Sequence, residues 1–194
     1  MIEKMVLKLV SQMESRKIID EANSKYYVYA LIMIVEHIIA VGTMLVIGII
    51  FKQFIPTIIF LVFFLSLRKR TGGYHAGKFW QCYLMTILIY IGVIQVAVAL
   101  SEKPLALYVM LFPAVFVIEI IGTINHPNID LNKDELREMK KTARLLVLME
   151  TVVIAILVAL NINQLYVSYM SVAIILCSSL MCVAKILKQE VKVK

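Results

Sequence analysis

A histidine and a cysteine stand seven residues apart in the most unusual stretch of the chain, Arg68-Lys69-Arg70-Thr71-Gly72-Gly73-Tyr74-His75-Ala76-Gly77-Lys78-Phe79-Trp80-Gln81-Cys82. This stretch holds three of the seven glycines, the only tryptophan, and one each of three histidines and three cysteines. A thiol with an ordinary pKa of about 8.5 becomes a nucleophile at neutral pH when cations or a base lie beside it. Histidine is the side chain best suited to take that proton and return it to a leaving group. His75 and Cys82 could therefore form a catalytic dyad, with Arg68, Lys69, Arg70 and Lys78 supplying positive charge around it. A straight helix would hold two groups seven residues apart at about 10 Å along its axis, too far for a hydrogen bond. The dyad thus requires a non-helical chain around Gly72, Gly73 and Gly77, which glycine permits through positive φ and close backbone approach. Cys82 would then occupy the first turn of the following helix, where the macrodipole favours a thiolate. The same stretch can also be read without chemistry, as a basic loop anchored at the membrane surface by Tyr74 and Trp80.

The elements that must position such a dyad are membrane helices. Of 194 residues 61% are hydrophobic, the mean hydropathy is +0.89, and long stretches such as Ile87–Ala99 carry no charge. A soluble domain of this length would carry more charge, and about 20 apolar residues match the hydrocarbon core of a bilayer. We expect an all-α polytopic fold with about six apolar segments, at about 28–50, 53–67, 80–100, 105–124, 145–160 and 165–184. The second and fifth are short for a full crossing. Residues 1–194 form one domain, with residues 1–25 an amphipathic interfacial helix and residues 28–184 the bundle. Ile2, Met5, Val6, Leu9 and Met13 make the apolar face of that first helix, which could lie in the interface or pack on the bundle. The opening residues have no continuous apolar core and do not resemble a cleavable signal peptide.

Charge orients the bundle. With both termini inside, all but two of the 20 Lys and Arg residues, Lys52 and Lys103, fall on the cytoplasmic side. The net charge of +7 then reads as topology and attraction to anionic lipid, not as a nucleic-acid footprint. The external connections are too short for a catalytic domain, so any chemistry sits in the membrane or at its inner face. Three cysteines do not make a disulfide framework, and Cys177 and Cys182, in an apolar run, read as packing. No HExxH or ligand spacing among the histidines supports a metal, and no cofactor is expected. Glu36, His37, Gln95 and Glu119 lie within apolar segments. Intramembrane ionisable groups are functional candidates, and Glu119 or Glu36 could orient His75. His37 points about 100° away from Glu36 and reads as packing, and His126 reads as a loop residue.

The run Arg70-x-Gly-Gly-Tyr-His75-Ala followed by Cys82 resembles the signature of the accessory gene regulator B family, bacterial membrane cysteine endopeptidases that process precursors of cyclic quorum-sensing peptides. The likeness extends over the chain in length, segment number, amphipathic start and basic loop. Asn125-His126-Pro127-Asn128 is similar to a proline-containing stretch of the family. The resemblance implies that His75 and Cys82 are catalytic. It implies a partner that is a short peptide with an amphipathic leader and an acidic C-terminal tail, which Arg68, Lys69, Arg70 and Lys78 would attract. Removal of the tail would leave a thioester on Cys82, and an internal Cys or Ser of the precursor would then close a thiolactone or lactone ring. The implied location is the bacterial cell membrane, multi-pass; a homodimer stays open. The alternative is a small non-enzymatic membrane transporter or scaffold with a basic inner face, for which Cys82 would be dispensable.

Overall fold

A computed structural model describes residues 2–16, 18–20, 24–73, 79–125 and 131–188. All regular structure among them is helical: α1 (Ile2–Ser15), α2 (Ser24–Ile50), α3 (Phe54–Thr71), α4 (Phe79–Ser101), α5 (Pro104–Ile121), α6 (Lys133–Ala159) and α7 (Gln164–Ile186). Five of these, α2, α4, α5, α6 and α7, are long and apolar enough to cross a membrane. The protein is a polytopic all-α protein.

Of the two segments expected to be short for a crossing, the fifth proves long and the second remains short. The fifth segment is not short, because α6 starts well before its apolar run and extends for 27 residues, about 40 Å at 1.5 Å per residue. Its start is fixed by a capping box in which the Asn132 side chain accepts from the Glu135 amide at 2.9 Å while the Asn132 amide donates to the Glu135 carboxylate at 2.9 Å. The second segment, α3, is not among the five spans, since Arg68, Lys69 and Arg70 occupy its last turn. It serves as a central strut, with Phe60 and Leu67 fully buried. Thr57 meets Tyr90 of α4 through a 2.6 Å hydroxyl contact.

The helix connections are short and chemically defined. At the end of α2, Lys52 has φ 56°, its amide donates to the Ile49 carbonyl, and the Gln53 amide donates to the Gly48 carbonyl at 2.7 Å. Asn161 has φ 52°, and the Asn161 and Ile162 amides close the same pair of bonds after α6. Both are left-handed caps that satisfy final carbonyls and reverse the chain, so α2/α3 and α6/α7 run antiparallel.

The centre of the bundle is α7, which packs against α3, α4, α5 and α6. About two-thirds of its span is buried, against 6% for α2, whose Ile34, Ile38, Val46 and Ile50 face outward. Two buried serines of α7 find partners within the bundle: Ser168 donates to the Ala97 carbonyl at 2.7 Å and Ser171 to the Val167 carbonyl at 2.8 Å. The amphipathic α1 packs on α2 through Val6 and Val10, with Ile19, Val28, Leu31 and Ile32 around them. Its buried stripe is therefore Val6–Val10–Met13, one position round from the expected face, and Met5 and Leu9 are exposed.

Candidate functional site

The end of α3 is set by two glycines. Gly72 has φ 65° and ψ −143°, Gly73 has φ 126°, and the Gly72 amide donates to the Arg68 carbonyl at 3.1 Å. The first of these conformations is open essentially to glycine alone. Three cations in the last turn complement the negative end of the helix dipole. The final carbonyls, which a helix cannot satisfy internally, are taken up by the chain that follows α5. Thr123 Oγ1 donates to the Arg70 carbonyl at 2.9 Å, and the Ile124 amide donates to the Thr71 carbonyl at 2.9 Å. Next to them, buried Asn125 clamps Leu131: its Oδ1 accepts from the Leu131 amide at 3.0 Å and its Nδ2 donates to the Leu131 carbonyl at 3.3 Å. Two connections distant in sequence, one after α3 and one after α5, are thereby held together.

Cys82 is the fourth residue of α4 and half-buried. It lines a cavity of about 150 Å³ between α2, α3, α4 and α7, together with Arg68 and His37. Arg68 folds back so that Nη1 donates to the Gly72 carbonyl, and its guanidinium lies against Gly73. Beside the cavity, Thr43 Oγ1 of α2 and the Tyr83 hydroxyl of α4 meet at 2.9 Å, which ties the two helices next to Cys82.

Of the cations expected to surround the site, Arg68 turns into the cavity, Lys69 is exposed, and Arg70 is half-buried with Nη1 at 3.5 Å from Met139 Sδ. His75, Gly77, Lys78 and His126 lie outside the described residues. The carboxylates proposed to orient the histidine do not line the Cys82 cavity. Glu36 lies on α2 one residue before His37. Glu119 lies on α5, where its carbonyl accepts from Arg144 Nε at 2.7 Å and its buried Oε1 has no hydrogen-bond partner among the described residues. A second basic concavity, of about 450 Å³, is formed on α6 by Lys133, Arg137, Lys140, Lys141 and Arg144. No group of three or more metal-ligating side chains occurs among the described residues.

Two groups carry more than the sequence reading gave them. His37, read as packing, lines the Cys82 cavity. Glu150, within the fifth apolar segment, is buried between α6 and α3, where Ser66 Oγ donates to its Oε1 at 2.7 Å. Its second oxygen has no partner among the described residues. The signal for Glu150 was available, since a lone carboxylate inside an apolar run is an intramembrane ionisable group.

Comparison with known proteins gives one match. The family model for accessory gene regulator B matches residues 2–184. No curated protein and no solved structure matches the chain.

Proposed function

Given that this chain belongs to the accessory gene regulator B family, we propose that it is a membrane cysteine endopeptidase that cuts a quorum-sensing precursor peptide and promotes its ring closure. Family membership supports the broader role in quorum-sensing peptide processing. The finer reading is carried by one observation: Cys82, in the first turn of α4, shares a cavity with the Arg68 guanidinium beside the glycine break that ends α3.

In this reading His75 takes the Cys82 proton and the thiolate attacks a peptide carbonyl. The C–N bond breaks, the acyl group stays on sulfur as a thioester, and the tail departs with a proton from His75. A Cys or Ser of the precursor then attacks the thioester carbonyl and releases a thiolactone or lactone, returning the Cys82 thiol. Exchange of one thioester for another is nearly neutral in energy, whereas hydrolysis would dissipate the activated bond, so a positioned internal nucleophile and exclusion of water favour the ring. The termini and the 72–78 connection are cytoplasmic, a reading supported by the distribution of basic residues. The acidic tail of the precursor is received by exposed Lys69 and by the basic face of α6, which together offer cations at the inner surface. Anionic lipid is attracted by the same charges.

The test is Cys82→Ala in the full-length protein, with precursor cleavage and membrane abundance read together. We expect cleavage to vanish at unchanged abundance, and Cys82→Ser to be severely impaired because a hydroxyl is the weaker nucleophile. Cleavage that survives Cys82→Ala would return the protein to the scaffold reading.

A further inference from the structure

The cavity beside Cys82 is graded from polar to apolar. α2 and α3 run antiparallel, and α4 leaves the same end of the bundle at which α3 finishes. On each helix the polar lining group lies nearer the end that carries the 72–78 connection: His37 before Met44 on α2, Arg68 after Phe64 on α3, Cys82 before Met85 and Ile89 on α4. His37, Arg68 and Cys82 thus share one end of the cavity, walled there by Leu180 beside Gly73, and Met44, Phe64, Leu65, Met85 and Ile89 line the other with a single hydroxyl, that of Thr86. The apolar end is one to two helical turns deeper, about 5–10 Å from Cys82 along α4.

We propose that this cavity receives the side chain of the substrate residue whose carbonyl Cys82 attacks, and that it selects a single large apolar side chain at that position. The proposal rests on the reading of Cys82 as the nucleophile. Size argues for one side chain. A volume of about 150 Å³ falls below the roughly 300–1,000 Å³ of pockets for drug-sized ligands. It equals that of an engineered apolar cavity of about 150 Å³ that stays dry and binds benzene. Phenylalanine, leucine and methionine fit such a space. The chemistry of the lining agrees. Two of the six apolar lining residues are methionines, whose unbranched side chains adapt to different occupants. A charged side chain would have to lose its hydration against these apolar groups. The geometry also assigns the direction: the peptide backbone lies at the polar end, with its carbonyl at the thiol, and the side chain points toward Ile89.

The probes are single-residue chloromethyl ketones, benzyloxycarbonyl-Phe, -Leu, -Ala and -Asp, applied to the full-length protein in vesicles. The Cys82 thiolate displaces chloride from the methylene carbon and forms a thioether, and mass spectrometry counts the adduct on each cysteine. Cys182, half-buried and outside the cavity, reports how far each reagent concentrates in the membrane. After division by the Cys182 rate, we expect Phe and Leu reagents to alkylate Cys82 at least about tenfold faster than Ala and Asp reagents. That is the low end of what a methylene-scale difference in an apolar pocket yields. Ile89→Trp, which fills the deep end, should bring the Phe-to-Ala ratio toward one. A ratio at Cys82 no larger than at Cys182, with iodoacetamide still reacting at Cys82, would overturn the pocket and leave the nucleophile standing. A Cys82 inert to iodoacetamide and to all four reagents would overturn both.

Discussion

Replacing Gly72 by alanine tests the site at its hinge. Gly72 sits at φ 65° and ψ −143°, a region where a side chain costs about 1–3 kcal/mol. A Cβ there would also meet the Ile124 carbonyl oxygen at 2.8 Å. That oxygen is backbone, held in place because the Ile124 amide donates to the Thr71 carbonyl at 2.9 Å. Relief of the contact moves Ile124 and gives up that bond, about 0.5–1.5 kcal/mol. The two contributions together come to about 1.5–4.5 kcal/mol, equivalent to a roughly 12- to 1,600-fold loss of the native arrangement. The loss falls on the connection between α3 and α4, so it should appear first in cleavage. The assay is precursor cleavage by full-length protein in vesicles, at matched membrane abundance. Gly42→Ala is the control: Gly42 lies within α2, a Cβ there has nothing within 4 Å, and a mid-helix alanine gains about 0.5–1 kcal/mol. The reasoning is refuted if Gly72→Ala cleaves within about threefold of the parent protein, since that falls well short of the roughly 12-fold low end of the expected loss.

Orientation is read from exposed positions, because Thr71 at the end of the basic triplet is fully buried. A cysteine at Lys69 should react in intact cells only with a membrane-permeant reagent, and one at Lys103 with an impermeant reagent; the reverse pattern would invert the topology. For the intramembrane acid, Ser66→Ala should lower the stability of the detergent-solubilised protein by about 1–3 kcal/mol, by removing the one hydrogen bond that the described residues make to the buried Glu150 side chain. Glu150→Gln keeps an acceptor for the Ser66 hydroxyl and should cost less; equal losses for the two variants would mean that the bond contributes nothing.

Apolar runs of about 20 residues are legible because hydropathy sums along a segment and needs no knowledge of neighbours. That is why α2, α4, α5 and α7 fall close to their expected places. The N-terminal extension of α6 escaped because its first turns are charged, although Asn132 and Glu135 stand at capping-box spacing. Facing is harder, since periodicity places residues on a helix without saying which stripe meets a partner. On α1 the overlapping stripes Met5–Leu9 and Val6–Val10–Met13 are equally helical, and contact with α2 chooses the second. His37 illustrates the same point: being about 100° from Glu36 left open which of the two turns toward α4. The cavity itself is lined from four helices, with Leu180 of α7 on its wall. A contribution from nearly a hundred residues beyond Cys82 has no local signature. Gly72, Gly73 and Cys82 stood out by residue type, whereas the inward turn of Arg68 depends on the Gly72 carbonyl it reaches.

The central burial of α7 has a consequence for how the protein is made. Its main partner, α3, ends in three cations and does not have the composition of a self-sufficient span, yet it leaves the ribosome roughly ninety residues before α7 begins. At about 5–20 residues per second, that interval is on the order of 5–20 s. During it the face of α3 that α7 will cover, where the Phe64 carbonyl accepts from Cys177 Sγ, must be sheltered by α2, by lipid or by the insertion machinery. Assembly of the core therefore waits on the end of synthesis, with α7 closing the wall around the thiol. A ribosome stalled before α7 would leave a chain that carries Cys82 but not the chamber in which it works.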